Sequence, residues 1–376
     1  STTVGGIALT PSVAGVGTAT SDADGLVVIT VNSGTVSTPV RVTASTTDTS
    51  TGTAITLTTQ SSGLTISTGI PDQDSFSLSA TKLFVEDGNL DGNTTVLTVR
   101  LADHFNNPVP ADTVVNFTTE GGSIVASCSI VIDSDGNSNC SSTLTVQDPR
   151  PADGRATVLA YAVGEESFID LNGNGVADLL PNEMIDGSSG VSVSTDLSET
   201  FIDFNQNGAY DGPDGRYSGV LCDSAKSSPG TCSTNKTIHV RKSVVIVFSG
   251  STAEISKIAP AGSTIDLVGG CSGTSRQVDL RIVDVNGNPM PTGTKIDVTT
   301  SDGTISGTSS FIQGNTNVAP VGGYSVSLRD DSGYLINAVT GDLSTTCSDP
   351  ALSGVLTVTV TTPGGTVTTA QYPVSN

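Results

Sequence analysis

VRLADHFNNPVPADTVVNFTTEGGSI, residues 99–124, returns without a gap as LRIVDVNGNPMPTGTKIDVTTSDGTI, residues 280–305. The copies share Asp103/Asp284, Asn107/Asn288, Pro108/Pro289, Pro110/Pro291 and the threonine pairs Thr118-Thr119/Thr299-Thr300. Each reads as strand, turn, strand. Alternating apolar residues bury one face of an extended chain, Asp-x-x-x-Asn-Pro breaks the hydrogen-bond ladder, and a second alternating run follows. Two copies imply two domains of one kind.

The sequence outside the phrase carries the same signals. Thr, Ser, Val and Gly dominate, Trp is absent, and aromatic residues make up only 4%. Thr and Val favour strands, and Gly, Asn and Asp favour the turns between them. Alternation predicts strands at 26–31 (LVVITV), 39–44 (PVRVTA) and 54–59 (AITLTT). More are predicted at 155–164 (RATVLAYAVG) and 237–248 (TIHVRKSVVIVF). Residues 355–361 and 366–372, joined by Pro363-Gly-Gly365, read as a terminal hairpin. The expectation is an all-β chain of tandem sandwiches.

The phrase resembles the bacterial Ig-like domains of the invasin/intimin type (Big-1), whose hallmark is a strand ending in D-x-x-G-N-P-V-P. Asp284-Val-Asn-Gly-Asn-Pro-Met-Pro291 follows it closely, whereas the first copy has His104-Phe105-Asn106 after its Asp. The family's acidic-glycine turn before an alternating strand recurs at Asp133-Ser-Asp-Gly136 and at Asp22-Ala-Asp-Gly25. The resemblance implies Ig-like sandwiches of about seven strands in surface-exposed, often adhesive, bacterial proteins. It implies no particular ligand. The expected organisation is a partial or divergent Ig-like unit at 1–70, a sandwich at 71–250 and a C-terminal sandwich at 251–376. The middle unit carries an insertion, 165–236, between its last two strands. Residues 1–70 lack an Asn-Pro-x-Pro phrase, so that unit is either truncated or divergent, or left incomplete for a strand from a neighbouring subunit to fill.

The insertion contains one motif twice: SFIDLNGNGVAD from Ser167 and TFIDFNQNGAYD from Thr200. Oxygen-bearing residues at alternate positions, then a glycine and a further Asp, have the spacing of an EF-hand-type calcium loop. In the second copy Asp203, Asn205, Asn207, the Ala209 carbonyl, Asp211 and Asp214 fall at positions 1, 3, 5, 7, 9 and 12, with Gly208 at the reversal. The first supplies Asp170, Asn172, Asn174, the Val176 carbonyl and Asp178, with Gly175 at the reversal. Its twelfth position is Pro181, so Glu183 or Asp186 would have to close it. Ca2+ is the expected cofactor, because Mg2+ prefers fewer protein ligands and strict octahedral geometry. The alternative is a polar Asx-turn loop that binds no metal. Asp87, Asn89 and Asp91 form a weaker match that reads as a turn. Glu165 and Glu166, beside the first loop, read as extra cation ligands or surface charge.

The 15 basic and 37 acidic residues give a net charge of −22, which opposes binding to nucleic acid. No apolar run reaches the roughly 18–20 residues that span a bilayer, and no basic-then-apolar leader opens the chain. Six cysteines without a CxxC pair argue for disulfides over zinc and for an oxidising compartment. Pairing by proximity gives Cys128–Cys140, Cys222–Cys232 and Cys271–Cys347. His104 and His239 lie in a turn and in an alternating strand, and no nucleophile, zincin or Walker motif accompanies them, so an enzyme is not expected. The expected function is a structural or adhesive protein, extracellular or on a bacterial cell surface. Its expected partners are other protein subunits, a surface receptor or a matrix. The alternative is the subunit of an extracellular filament, possibly a homopolymer.

Overall fold

The computed structural model describes residues 7–13, 16–34, 38–50, 52–88, 91–180, 182–186, 193–200, 208–223, 225, 229–267, 275–315, 322–330, 334–336, 339–341, 343–347 and 353–375. The architecture is all-β, with one short 3-10 turn at Asn182–Met184 among the described residues. No helix there is long and apolar enough to cross a membrane.

Two Ig-like β-sandwiches carry the mass of the chain. In the first, strands Phe84–Glu86, Ile238–Ser249, Arg155–Gly164, Val114–Thr119 and Ser127–Ser129 form one sheet in that order. The facing sheet orders Ser123–Ile124, Ser138–Thr145, Thr94–Leu101 and Ser77–Ala80. Alternation decides what lies inside. Along Thr94–Leu101, Leu97, Val99 and Leu101 are buried while Arg100 faces water. Along Arg155–Gly164 the inward positions are Ala156, Val158, Ala160 and Ala162, small residues that leave room for Phe76, Phe117 and Phe248 in the same core. Cys128 and Cys140 sit on strands of opposite sheets and are joined by a disulfide across the core, with Cα atoms 5.9 Å apart.

The second sandwich repeats the plan. One sheet orders Glu254–Ala259, Ser275–Val283, Gly323–Arg329 and Thr304–Ser306; the other Ile265–Asp266, Val367–Ser375, Ser353–Thr361, Lys295–Thr300 and Ser310–Ile312. Leu280, Ile282, Ile296, Val298, Leu356 and Val358 are among its core residues. In each sandwich a short strand pairs in parallel with the last strand, Phe84–Glu86 in the first and Ile265–Asp266 in the second. The penultimate and last strands pair antiparallel in both. The connection between them is the tight turn 362–366 in the second and the whole insertion in the first. Cys271 lies outside the described residues, and with it the expected pairing to Cys347.

The N-terminal stretch is different. Its described strands form only two-stranded pairs: Ala8–Thr10 with Thr30–Asn32, Ser12–Val13 with Val16–Gly17, Thr38–Val40 with Leu64–Ile66, and Thr43–Asp48 with Ile55–Gln60. The strand expected at 26–31 is corrected to Thr30–Asn32, because residues 26–29 make no ladder. Leu26, Val27 and Val28 are exposed at 64, 57 and 80%, so no facing sheet covers that alternation.

Candidate metal centre

The first motif winds into a tight coil. Asp170 Oδ1 accepts the N–H groups of Gly173 (2.7 Å) and Asn174 (3.1 Å), and Oδ2 accepts that of Gly175 (2.7 Å). Asn172 and Asn174 each accept the N–H two residues on, at 3.1 and 2.9 Å, the Asx-turn habit of that side chain. Gly173 and Gly175 take φ of 73° and 74°, a left-handed conformation that disfavours a β-carbon. Burial would raise the Asp170 carboxyl, but the N–H groups of residues 172–175 hold it below the usual carboxylate range. Asp178 lies across the coil, accepting the amides of Asn172 (3.0 Å) and Asn174 (2.7 Å).

Glu183 staples the coil from below. It is fully buried; Oε1 accepts Leu171 N–H at 3.2 Å, and Oε2 accepts Asp178 and Leu179 N–H at 2.8 and 2.9 Å. Its side chain reaches both ends of the loop, although it lies two positions past the usual closing residue. The loop sits on a small apolar cluster of Phe168, Ala177, Met184 and Tyr217, and Cys222–Cys232 closes that side of the insertion with Cα atoms 5.7 Å apart.

Of the second motif, Asp203, Asn205 and Asn207 lie outside the described residues. Its later half is described. Gly208 takes φ 78°, Asp211 N–H donates to Glu199 Oε2 at 3.1 Å, and Asp214 Oδ1 accepts Arg216 N–H at 2.8 Å. A cavity of about 230 Å3 beside it is lined by Glu199, Asp211, Asp214, Asn235 and His239 among others. Among the described residues no three His, Cys, Asp or Glu side chains converge as a metal cluster. The first loop instead brings two carboxylates, Asp170 and Asp178, and the side chains of Asn172 and Asn174 onto one coil, oxygen-bearing groups of the kind a hard cation takes.

The residues that hold the insertion were misread in the sequence. Glu165 and Glu166 are neither surface charge nor loop ligands: both are fully buried where strand Arg155–Gly164 ends. Glu165 Oε2 accepts Val220 N–H at 3.0 Å. Glu166 accepts Leu197 N–H at 2.7 Å and Ser218 N–H at 2.6 Å. Burial pushes the Glu165 carboxyl up to about 7 and the Glu166 carboxyl up to about 8, against the opposing pull of those N–H groups. The buried Tyr217 hydroxyl faces Glu165 outside hydrogen-bond geometry. His104 stacks on Phe168 with ring centres 4.1 Å apart and meets Asp72 at 3.3 Å. Burial lowers its proton affinity, but the bond to Asp72 and the charges of Asp72, Glu165 and Asp103 raise it on balance. Of the weak match, Asn89 lies outside the described residues; Asp87 and Asp91 are both held by Arg150, whose guanidinium reaches Asp87 (2.7 Å), Asp91 (2.6 Å) and Asp148 (2.8 Å). The signal for this site was present as His104-Phe105, where the second copy of the repeated phrase has Val285-Asn286.

No protein-family model matches the chain, and no curated protein matches it. Among solved structures it aligns with the Yersinia pseudotuberculosis adhesin InvE at 13% identity, over 81% of this chain and 60% of that one, with a TM-score of 0.23. The D0–D1 domain of intimin aligns at 11% identity over 79% and 97%, TM-score 0.20. A C-terminal 282-residue intimin fragment, solved with the intimin-binding domain of the translocated intimin receptor, aligns at 13% over 78% and 62%, TM-score 0.23. The chain thus spans about 60% of InvE's length, and its own strand pairing establishes its sandwich fold.

Proposed function

We propose that the chain is a non-enzymatic structural or adhesive protein of a bacterial surface, a row of Ig-like units with an insertion ordered by calcium. The observation that carries the calcium reading is the Asp170 coil, with Asp178 facing it and Glu183 beneath. Asp170, Asn172, Asn174, the Val176 carbonyl, Asp178 and Glu183 would hold the ion in the first loop. Asp203, Asn205, Asn207, the Ala209 carbonyl, Asp211 and Asp214 would hold it in the second. Rotating the Asn172 and Asn174 amides exchanges the N–H2 groups that now face Asp178 for oxygens. Bound calcium supplies the positive charge that lets acidic side chains crowd together in a chain of net charge −22. The two disulfides across the first sandwich and the insertion add covalent stiffness. The partners that fit this reading are protein subunits, a receptor or a matrix.

Calcium titration by calorimetry, with melting curves and proteolysis of residues 165–236 in calcium and in EDTA, tests the reading. Heat of binding and EDTA-dependent cleavage are expected. Equal stability and equal cleavage in both would overturn it.

A second reading, a filament subunit completed by a neighbour's strand, is favoured by the exposed Leu26, Val27 and Val28 and by the two-stranded pairs around them. Electron microscopy separates the two: fibres that survive dilution support the filament, and monodisperse rods oppose it.

A further inference from the structure

We propose that cation binding at the first loop stiffens the joint between the N-terminal unit and the first sandwich, acting through the Asp103 turn. The proposal rests on the calcium reading above and assigns that site a task. The linker at this joint is tied to the turn at two points. Thr68 N–H donates to Asp103 Oδ2 at 2.9 Å, and Asp72 meets His104 at 3.3 Å. The turn itself faces the insertion through His104 and Phe105. His104 lies flat on Phe168, with the ring planes 4° apart. Phe105 packs on Gly175, its ring 3.7 Å from where a β-carbon would stand. Gly175 is the residue whose N–H closes on Asp170 Oδ2.

A second set of bonds runs beside the first. Ser167 donates its hydroxyl to Asp72 Oδ1 at 2.5 Å and accepts Asp74 N–H at 2.9 Å. Glu165 N–H donates to the Pro71 carbonyl at 2.7 Å, and Gln73 N–H to the Glu165 carbonyl at 3.2 Å. Contact alone does not make coupling; an element with two states must lie on the route. The Asp170 coil is such an element, because Asp170 and Asp178 repel when both are ionised and attract when a cation lies between them. The joint between the two sandwiches, where Gly250 N–H donates to Asp284 Oδ2 at 2.9 Å, lacks this route among the described residues. Its turn carries Val285, 62% exposed, where the first carries His104, so it serves as an internal control.

Hydrogen exchange of the full chain, with calcium and with EDTA, reads both joints at once. Calcium is expected to slow the linker amides at 68–74 roughly tenfold and to leave the amide of Gly250 within about twofold. Phe105→Ala should bind calcium in calorimetry with an affinity within about threefold of the unaltered chain, yet lose most of the slowing. Asp170→Ala should lose both. Calcium heat without any change at 68–74 in the unaltered chain overturns the joint proposal and leaves the cation reading standing. Absence of calcium heat overturns both. Equal slowing at Gly250 overturns the claim that only the first joint is controlled. The unaltered chain decides these outcomes even if Phe105→Ala fails to fold.

Discussion

In the first copy of the repeated phrase Asn106 turns the chain at φ 60°; in the second Gly287 does so at φ 76°. Both donate to the carbonyl of the leading Asp at 2.9 Å, and both turns close on a bridge to proline, Ala102 to Pro108 and Val283 to Pro289. Asp103 Oδ1 accepts the second and fourth N–H groups along, Phe105 and Asn107, at 2.9 and 2.8 Å. Asp284 does the same with Asn286 and Asn288. Each then uses Oδ2 for one distant N–H, Thr68 for Asp103 and Gly250 for Asp284, both at 2.9 Å. Asp22 and Asp133 build the same local turn at an exposed and a half-buried site, where among the described residues no upstream linker N–H reaches them. A generic Asp turn becomes an inter-unit joint when it is buried and given a third donor.

The two joints differ in what else they grip. Around Asp284 the preceding sandwich is held directly: Arg155 reaches Asn288 Oδ1 at 2.6 Å, Asn288 reaches the Asp153 carbonyl at 2.7 Å, and Glu86 accepts Ser251 Oγ and Gly364 N–H at 2.8 and 2.6 Å. Around Asp103 the insertion takes that place. The largest break in this comparison is therefore Asp284→Ala, which strands three N–H groups at a buried joint. A loss of about 3–4 kcal/mol is expected in urea unfolding, against less than about 1 for Asp133→Ala. Equal losses would show that the turn, not the joint, holds the energy.

That distinction was not legible in the sequence. Asp22, Asp133 and Asp284 each begin an Asp-x-x-Gly turn, and spacing cannot say which is buried or which receives a distant N–H. The strands were legible where alternation served a packed core, as in 155–164. At 26–31 the same alternation misled, because no facing sheet gives it an inside. The coil of the first loop was legible from its glycine and Asx spacing. The Glu165–Glu166 docking pair was not, because a glutamate's role at an element end depends on which distant segment's N–H groups arrive there.

The insertion's own attachment gives the next largest effect, one the second sandwich lacks. Glu165 and Glu166 have folded-state proton affinities above the ordinary carboxylate value, so the folded chain binds more protons than the unfolded one between about pH 4.5 and about pH 8. Stability in EDTA must then fall as pH rises through that window. His104, also raised, acts in the same direction. Asp170, lowered, acts oppositely, its contribution vanishing only in acid. Glu165→Gln with Glu166→Gln should flatten the melting temperature against pH; an unchanged slope would remove these carboxyls from the account.

Opening Cys222–Cys232 by paired serine substitution should cost the insertion about 2–3 kcal/mol, seen as faster proteolysis within 165–236 while the sandwich cores keep their melting transition. Loss of that transition would mean the insertion is integral to the first core. Arg150→Ala should cost only about 1 kcal/mol, because Asp91 and Asp148 of its clamp are largely exposed, and calcium should not restore it.

The smallest effect exchanges the turn residues themselves. Asn106→Gly places at φ 60° a residue with no β-carbon penalty, but it also loosens the unfolded chain. The two terms nearly cancel, so a change within about 0.5 kcal/mol is expected. Gly287→Asn meets only the Arg281 guanidinium at 3.6 Å, an ordinary contact, so space permits it and only its φ of 76° resists. A cost of about 0.5–1 kcal/mol is expected in thermal unfolding, because Asn tolerates the left-handed region better than most side chains. If Gly287→Asn cost as much as Asp284→Ala, the second turn would have to be tighter than its bonds indicate, and the equivalence of the two joints would fail at its simplest point.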